Sequence, residues 1–396
     1  MRKIFHVLVS AFIITSLLIT GACNKDKTDN DNPSDIPTGT IMGKVMAQNG
    51  TTPIPMATVF VDYNGEVYLT FTDKEGNFSL KAPSGTVPLY IESGKGNIFR
   101  TMIAATIVEN ETSTIPNGTV KLQQTGTLAY ITGAYDNIQD IIITQLGYAA
   151  DEITLNDLNN LNLLQSYSGI FLNCGKSGVM DANKYANLLA YVNGGGSLYA
   201  SDFAVEYLTG DGGMKSPDHH AVQTPHKTGC VGELGGFIED SLLCTDRVGP
   251  MTTILNAEIL PSDLQSYMGI TTINIEYDLG GWEQILDLDS PPWEVLIQDP
   301  ITYGPLAIRM TFAGTGSKLG KQDWVTICHI PPGDPANAHT ITIAASAVPA
   351  HLAHGDYLGS CQGNGGTIYF TTFHNHVQGT ISSDMQKMLE YFILNL

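Results

Sequence analysis

The hydrophobic period changes once along the chain, and that change constrains the fold more than any other feature. Residues 38–124 hold short runs in which apolar and polar residues alternate: TIMGKVMAQ, ATVFVDY, EVYLTFT, NFSLKA, VPLYIES, FRTMIAATIV and VKL. Period two puts every second side chain on one face of a strand. Turn residues separate the runs, among them Asn64-Gly65 and the stretch Asp73–Gly76, and Asn and Gly both accept the positive φ of a tight hairpin. A series of short strands with no helical period predicts an all-β sandwich. From residue 126 strands alternate with helices. TLAYITGAY, EITL, GIFLNCG and SLYAS read as strands. NIQDIIITQLGYA sets Ile138, Ile141, Ile142 and Leu146 on one helical face, and LNNLNLLQSY and ANKYANLLAYVNGGG read as helices. That alternation predicts an α/β parallel sheet with right-handed crossovers. The expected chain is multidomain.

Compartment decides how the cysteines are read. MRKIFHVLVSAFIITSLLITGAC opens with Arg2 and Lys3, runs apolar from Ile4 to Ile19, and ends in small residues before Cys23. This is an export signal over residues 1–22, with an apolar run short for a membrane span of about 20 residues. It resembles a bacterial lipoprotein signal, which implies lipidation of Cys23, although Thr20 stands where that family prefers Leu; ordinary cleavage after Ala22 is the alternative. Residues 23–37 are polar and rich in Asp, Asn, Lys and Pro. They read as a flexible tether and resemble the tethers of surface-exported Bacteroidetes lipoproteins. Net charge is −20, or −22 once Arg2 and Lys3 are removed, with no run of Lys or Arg. Nucleic acid and anionic membrane surfaces are thereby poor electrostatic partners. In an oxidising compartment paired cysteines are the default, which predicts the pairs Cys230–Cys244 and Cys328–Cys361, contributing by loop closure roughly 3 kcal/mol for the first and roughly 3–4 kcal/mol for the second.

Two further resemblances assign the halves. Gly43–Val45, Pro53–Val59 and Thr72–Leu80 resemble the carboxypeptidase regulatory-like domain, a prealbumin-type sandwich. Over residues 38–124 this implies a spacer or binding module without an active site. In the second half, chemistry is expected at the carboxyl ends of the strands, where Asn173-Cys174-Gly175, Ser201-Asp202 and His374-Asn375-His376 fall. YVNGGGSLYASD and FTTFHNH resemble the class I glutamine amidotransferase-like, flavodoxin-like superfamily, in its ThuA-like branch, over residues 126–396. Catalytic members of that superfamily carry a cysteine nucleophile on a strand-to-helix turn in a G-x-C-x-G context, where the glycines relieve the elbow. The corresponding stretch is Tyr199-Ala200-Ser201-Asp202-Phe203, with Ser201 at the nucleophile position and neither glycine present. Cys174 belongs one strand earlier. Two readings stay open: a retired site whose polar residues cap the sheet, or a Ser201 nucleophile with His374 as its base and Asp202 or Glu206 as the orienting acid.

The late strands GPLAIRMTF and GTIYFTTF are separated by glycine-rich edges and by an insert over residues 321–362, in which His329, His339, His351 and His354 lie between Cys328 and Cys361. Glycine-rich flanks suit a module that leaves a sheet and returns. The pattern C-H-I-P-P-G…A-H-L-x-H-G-D…C resembles a short module of secreted bacterial proteins. His351 and His354, three apart, share a face of a short helix. With His339 or His329 they would suit zinc, copper or nickel, Asp356 orienting or coordinating. The alternative is a disulfide-stapled unit whose histidines hydrogen-bond its loops. His219, His220 and His226, in the polar loop before Cys230, read as surface residues, with metal ligation again the alternative. ILNAEILPSDLQSYMG and TINIEYDLGGWEQIL are expected to extend the sheet or form a β-layer beside it.

The expected protein is an exported, lipid-anchored binding protein at the outer membrane, facing the surface or the periplasm, with a degenerate amidotransferase-like domain. It would take an extracellular protein or glycan as ligand. The alternatives are a secreted hydrolase using Ser201 and His374, and a lipoprotein that binds zinc or another transition metal through His339, His351 and His354.

Overall fold

Seven strands occupy the period-two runs: β1 (Thr38–Met46), β2 (Thr58–Tyr63), β3 (Glu66–Phe71), β4 (Asn77–Pro83), β5 (Gly85–Ser93), β6 (Phe99–Ile107) and β7 (Thr112–Lys121). They form two sheets, β4-β1-β7 and β3-β2-β5-β6. Alternation is visible in the burial: Phe78 and Leu80 of β4 are buried between exposed neighbours, and Val87, Leu89 and Ile91 of β5 are buried between exposed or half-buried ones. Asn64 and Gly65 have φ of 55° and 84° and close the β2–β3 hairpin, as a primed turn requires. The structure, a computed structural model, describes residues 36–94, 96–175, 178–209, 236–238, 243–288, 293–311, 324–329, 339–344, 357–358, 366–376 and 381–396. Among these no helix is long and apolar enough to cross a membrane.

Fourteen further strands follow among the described residues: β8 (Leu128–Ile131), β9 (Asp151–Ile153), β10 (Gly169–Leu172), β11 (Ser197–Ser201), β12 (Leu243–Gly249), β13 (Thr252–Ile259), β14 (Thr272–Tyr277), β15 (Trp282–Leu288), β16 (Trp293–Gln298), β17 (Pro305–Thr311), β18 (Trp324–His329), β19 (His339–Ala344), β20 (Tyr357–Leu358) and β21 (Thr367–Thr371). Nine of them make one sheet in the order β14-β13-β16-β17-β21-β11-β10-β8-β9. The expectation of a parallel sheet holds from β21 to β9. It fails from β17 to β14, which pair antiparallel. The connection between β16 and β17 is too short for a crossover, so these strands can only form a hairpin. β13 and β14 thus extend the sheet, while β12 and β15 form a separate antiparallel ladder.

Strands β10, β11 and β21 are buried along their whole length, as in a sheet covered on both faces. One face packs Ile170, Leu172, Leu198, Ala200, Ile368 and Phe370 against helix Ala182–Asn193 and the turns that follow β11. Asp181 caps that helix by accepting from Asn183 N and Lys184 N, both at 3.0 Å. The other face packs Phe171, Tyr199 and Tyr369 against helix Ser383–Leu394 and the segment 138–146. In that segment Ile138, Ile141, Ile142 and Leu146 are all fully buried, but the helix widens to a π-turn over Ile141–Gln145, with Leu146 N donating to Ile141 O at 2.9 Å. The helix expected over LNNLNLLQSY is instead two short turns, Leu155–Asn159 and Leu161–Leu164. Asn160 separates them because its side chain accepts from Leu163 N and starts a new turn.

The sandwich packs against the segment that covers one face of the large sheet. Their apolar residues form one buried cluster. Phe99 and Tyr148 meet with ring centroids 4.6 Å apart, Tyr148 Oη donates to Leu122 O at 3.2 Å, and Asn49 N donates to Leu146 O at 2.9 Å. In the insert, the described backbone is a small antiparallel sheet, β19-β18-β20. Its register sets His329 opposite His339 and Cys328 opposite Tyr357.

Candidate functional site

Parallel registry delivers the site. Leu172, Ala200 and Phe370 are lateral neighbours on β10, β11 and β21, so the residues that follow them emerge side by side although they lie far apart in sequence. Asp136, from the loop after β8, ties these ends together. The buried carboxylate accepts a hydrogen bond from the Ser201 hydroxyl and another from Asn375 N at 3.2 Å. Asn375 Nδ2 donates to Asn137 O at 2.7 Å and Asn137 N donates to Asn375 O at 2.9 Å. Asn173 Oδ1 accepts from Ile138 N at 3.3 Å. Burial pushes the Asp136 carboxyl up to about 7 against the pull of these donors.

The strand-to-helix turn carries an aspartate. Ser201 ends β11 in an extended conformation (φ −121°, ψ 130°), and the left-handed φ of 47° falls on the next residue, Asp202. The elbow is therefore one position beyond Ser201, and the residues two before and two after it are Ala200 and Ala204, both fully buried. Aspartate is among the few non-glycine residues that tolerate this conformation.

Three ligating groups converge on this elbow. Cys174 Sγ lies 3.4 Å from Asp202 Oδ2, and His374 Nδ1 lies 3.8 Å from the same oxygen. Sulfur, oxygen and nitrogen are all within 4.8 Å of one another. Asp202 Oδ1 accepts from Glu283 N at 2.7 Å, which fixes the carboxylate in orientation. Burial raises the Asp202 carboxyl to about 7 against the pull of the Glu283 N–H, and the Glu283 carboxylate adds a smaller push upward. Burial and the nearby Asp202 push the Cys174 thiol up, and burial and then His376 push the His374 imidazole down to about 3. His374 is therefore neutral, and its approach to Asp202 is not a salt bridge. Its Nδ1 is buried and has no hydrogen-bond partner among the described residues.

A cavity of about 400 Å³ opens above this group, with Asp202 and His374 in its wall. Tyr135, Phe203, Tyr277 and Trp282 give it aromatic sides. Tyr277 and Trp282 stack 3.9 Å apart, and Arg247 lies 4.2 Å above the Phe203 ring while pairing with Glu206 and Glu283. At the rim His376 Nδ1 meets Asp278 Oδ2 at 2.8 Å.

The expected site residues fare differently. Ser201 and His374 both reach this end of the sheet, but no hydrogen bond joins them among the described residues; the Ser201 hydroxyl goes to Asp136. Glu206, one of the two acids considered, pairs with Arg247, whereas Asp202 stands at the elbow. Cys174 is a free, buried thiol and Cys244 is disulfide-bonded; Cys230, the partner the sequence predicts for it, lies outside the described residues. So do Cys23, His219, His220, His226, His351, His354, Asp356 and Cys361, and the side chains of Cys328 and His339. Sequence reasoning missed Asp136, Tyr277, Asp278 and Trp282. Only the proximity of Asp136 to a strand end signalled it, and the other three come from segments read merely as sheet extensions.

No family model and no curated protein matches the chain. Among solved structures the chain is similar to a GMP synthase component from Thermoplasma acidophilum, so assigned, at 11% identity and a TM-score of 0.34, over 68% of this chain and 92% of that one.

Proposed function

We propose that the chain is a non-catalytic binding protein, exported and lipid-anchored, whose ligand enters the cavity over the strand ends. One observation carries this reading: the elbow presents the Asp202 carboxylate where acyl-transfer chemistry would need a thiol or hydroxyl, while the adjacent Ser201 hydroxyl is held by Asp136. A serine so placed is fully buried, makes no hydrogen bond to His374 among the described residues and does not line the cavity, so no substrate in the cavity meets its hydroxyl. The aromatic sides and the Asp278–His376 pair suit a neutral sugar ring, whose C–H face packs on aromatics while its hydroxyls meet a carboxylate and an imidazole. Titration calorimetry of the mature chain with a panel of neutral mono- and disaccharides tests this. At least one sugar is expected to bind saturably and to weaken on Tyr135→Ala or Asp278→Asn, both partly exposed positions. Covalent labelling by a fluorophosphonate probe that disappears in Ser201→Ala would overturn the non-catalytic reading, and no saturable sugar binding would overturn the ligand class.

A further inference from the structure

We propose that Cys174 Sγ, Asp202 Oδ2 and His374 Nδ1 form a site for one divalent transition-metal ion of the zinc class, with its remaining coordination position facing the cavity. The inference stands apart from the sugar-binding reading, because it concerns the floor of the cavity and is tested without any organic ligand.

Geometry is the first support. Metal–ligand bonds of about 2.0–2.3 Å in a tetrahedron put neighbouring ligand atoms about 3.4–3.7 Å apart. The sulfur-to-oxygen and nitrogen-to-oxygen separations are 3.4 and 3.8 Å. Only shifts of a few tenths of an ångström along these edges are needed, and the sulfur and nitrogen, within 4.8 Å, would close together around the ion.

The orphaned imidazole nitrogen is the second, independent support. His374 Nδ1 is buried, has no hydrogen-bond partner among the described residues and sits beside a thiol and a carboxylate. A buried polar atom left without a partner is costly. A cation accepts its lone pair, which no described neighbour does.

Charge is the third. Thiolate and carboxylate together carry two negative charges, which balance a dication in a dry site, and the neutral imidazole adds a ligand without adding charge. Binding replaces the thiol proton with the ion, and that proton leaves to solvent. The second oxygen of Asp202 is held by Glu283 N, and Glu283 is itself paired with Arg247, so the carboxylate is oriented from behind as outer-shell partners orient metal ligands. The donor set of one sulfur, one nitrogen and one oxygen suits zinc and cobalt rather than magnesium or calcium. Asp202 and His374 line the cavity and Cys174 does not. The three ligands therefore approach from the sheet side and leave the cavity side open, as sites that exchange a water for a ligand do.

The test uses the full mature chain purified without a histidine tag, loaded with zinc or cobalt and desalted. Elemental analysis is expected to find about one ion per chain, and the cobalt form to show a thiolate-to-cobalt charge-transfer band with tetrahedral d–d bands. Cys174→Ser and His374→Gln should each abolish the band and bring the stoichiometry to near zero, with circular dichroism reporting whether each variant folds. If one variant fails to fold, the other decides. Wild-type stoichiometry near zero, a cobalt form without a thiolate band, or a bound ion unaffected by either substitution would overturn the proposal.

Discussion

Two regions of this chain concentrate metal-type residues, and they do so in opposite ways. The insert gathers His329, His339, His351 and His354 between two cysteines within one short stretch. The strand-end group draws Cys174, Asp202 and His374 from three strands, with its outermost members 200 positions apart. A sequence scan sees the first at once and does not see the second. The difference is physical. Local density says only that the residues are near along the chain, whereas a parallel sheet makes the carboxyl ends of its strands meet regardless of separation. In the insert the described register brings His329 opposite His339 across a ladder. At the strand ends the groups are brought to within a few ångströms of a common point.

The comparison can be broken most decisively at the ligands. Asp202→Asn keeps a side chain that tolerates the left-handed turn but removes a charged ligand. It should weaken zinc binding by more than the roughly 10–100-fold typical of outer-shell partners. The double substitution His351→Ala/His354→Ala should leave the same affinity within twofold, measured by competition with a chromophoric chelator. The reverse pattern would move the metal to the insert.

Removing the frame of the strand ends should be felt next most strongly. Asp136→Ala strands the Ser201 hydroxyl and Asn375 N–H in the interior and is expected to cost about 2 kcal/mol of unfolding free energy. Substitutions at His351 or His354 should stay within about 0.5 kcal/mol of wild type in the same urea titrations. Ser201→Ala removes the donor to Asp136 and the acceptor of Cys174 N, but leaves the Asp136 carboxylate and its bond from Asn375 N in place. It should cost about 1 kcal/mol and leave the cobalt spectrum unchanged, which separates Ser201 as a frame residue from the ligands.

The smallest effect comes from a carboxylate outside both regions. Glu390 is buried on the C-terminal helix, and burial raises its pKa. Its ionised form is therefore disfavoured in the folded state. Its contribution to stability is highest below the unfolded value of about 4.3 and falls as pH rises from there through the folded value. Glu390→Gln should remove that decline, so the variant gains on wild type with rising pH in this window and matches it in acid. A flat difference would mean that burial alone does not set the pH response here, and would weaken the same reasoning at Asp136.

Much of this architecture was legible from period alone. The two-residue alternation placed β1–β7, and Asn64-Gly65 placed a hairpin. Glycine-flanked edges placed β17 and β21 on either side of the insert, and strand ends pointed to the stretches that hold Cys174, Ser201 and His374. What escaped depends on three-dimensional context. The π-turn at Ile141–Gln145 keeps the same apolar face as a regular helix, so periodicity does not distinguish them. The elbow lies at Asp202 rather than Ser201 because the strand continues one residue further before the chain turns, and a family pattern aligned without its glycines has nothing to fix that offset. Tyr277 and Trp282 were seen as strand residues, but their stacking depends on how β14 and β15 approach the strand ends. The close packing of the sandwich against the segment after the π-turn, through Phe99 and Tyr148, is equally invisible to a reading that treats each half separately.

The most direct measurement is the anomalous scattering of zinc in crystals of the mature chain. The account predicts a single strong peak about 2.3 Å from Cys174 Sγ, with Asp202 and His374 completing the protein ligands and density for water or ligand on the cavity side. An empty strand-end group beside a peak in the insert, or no peak at all, would contradict it.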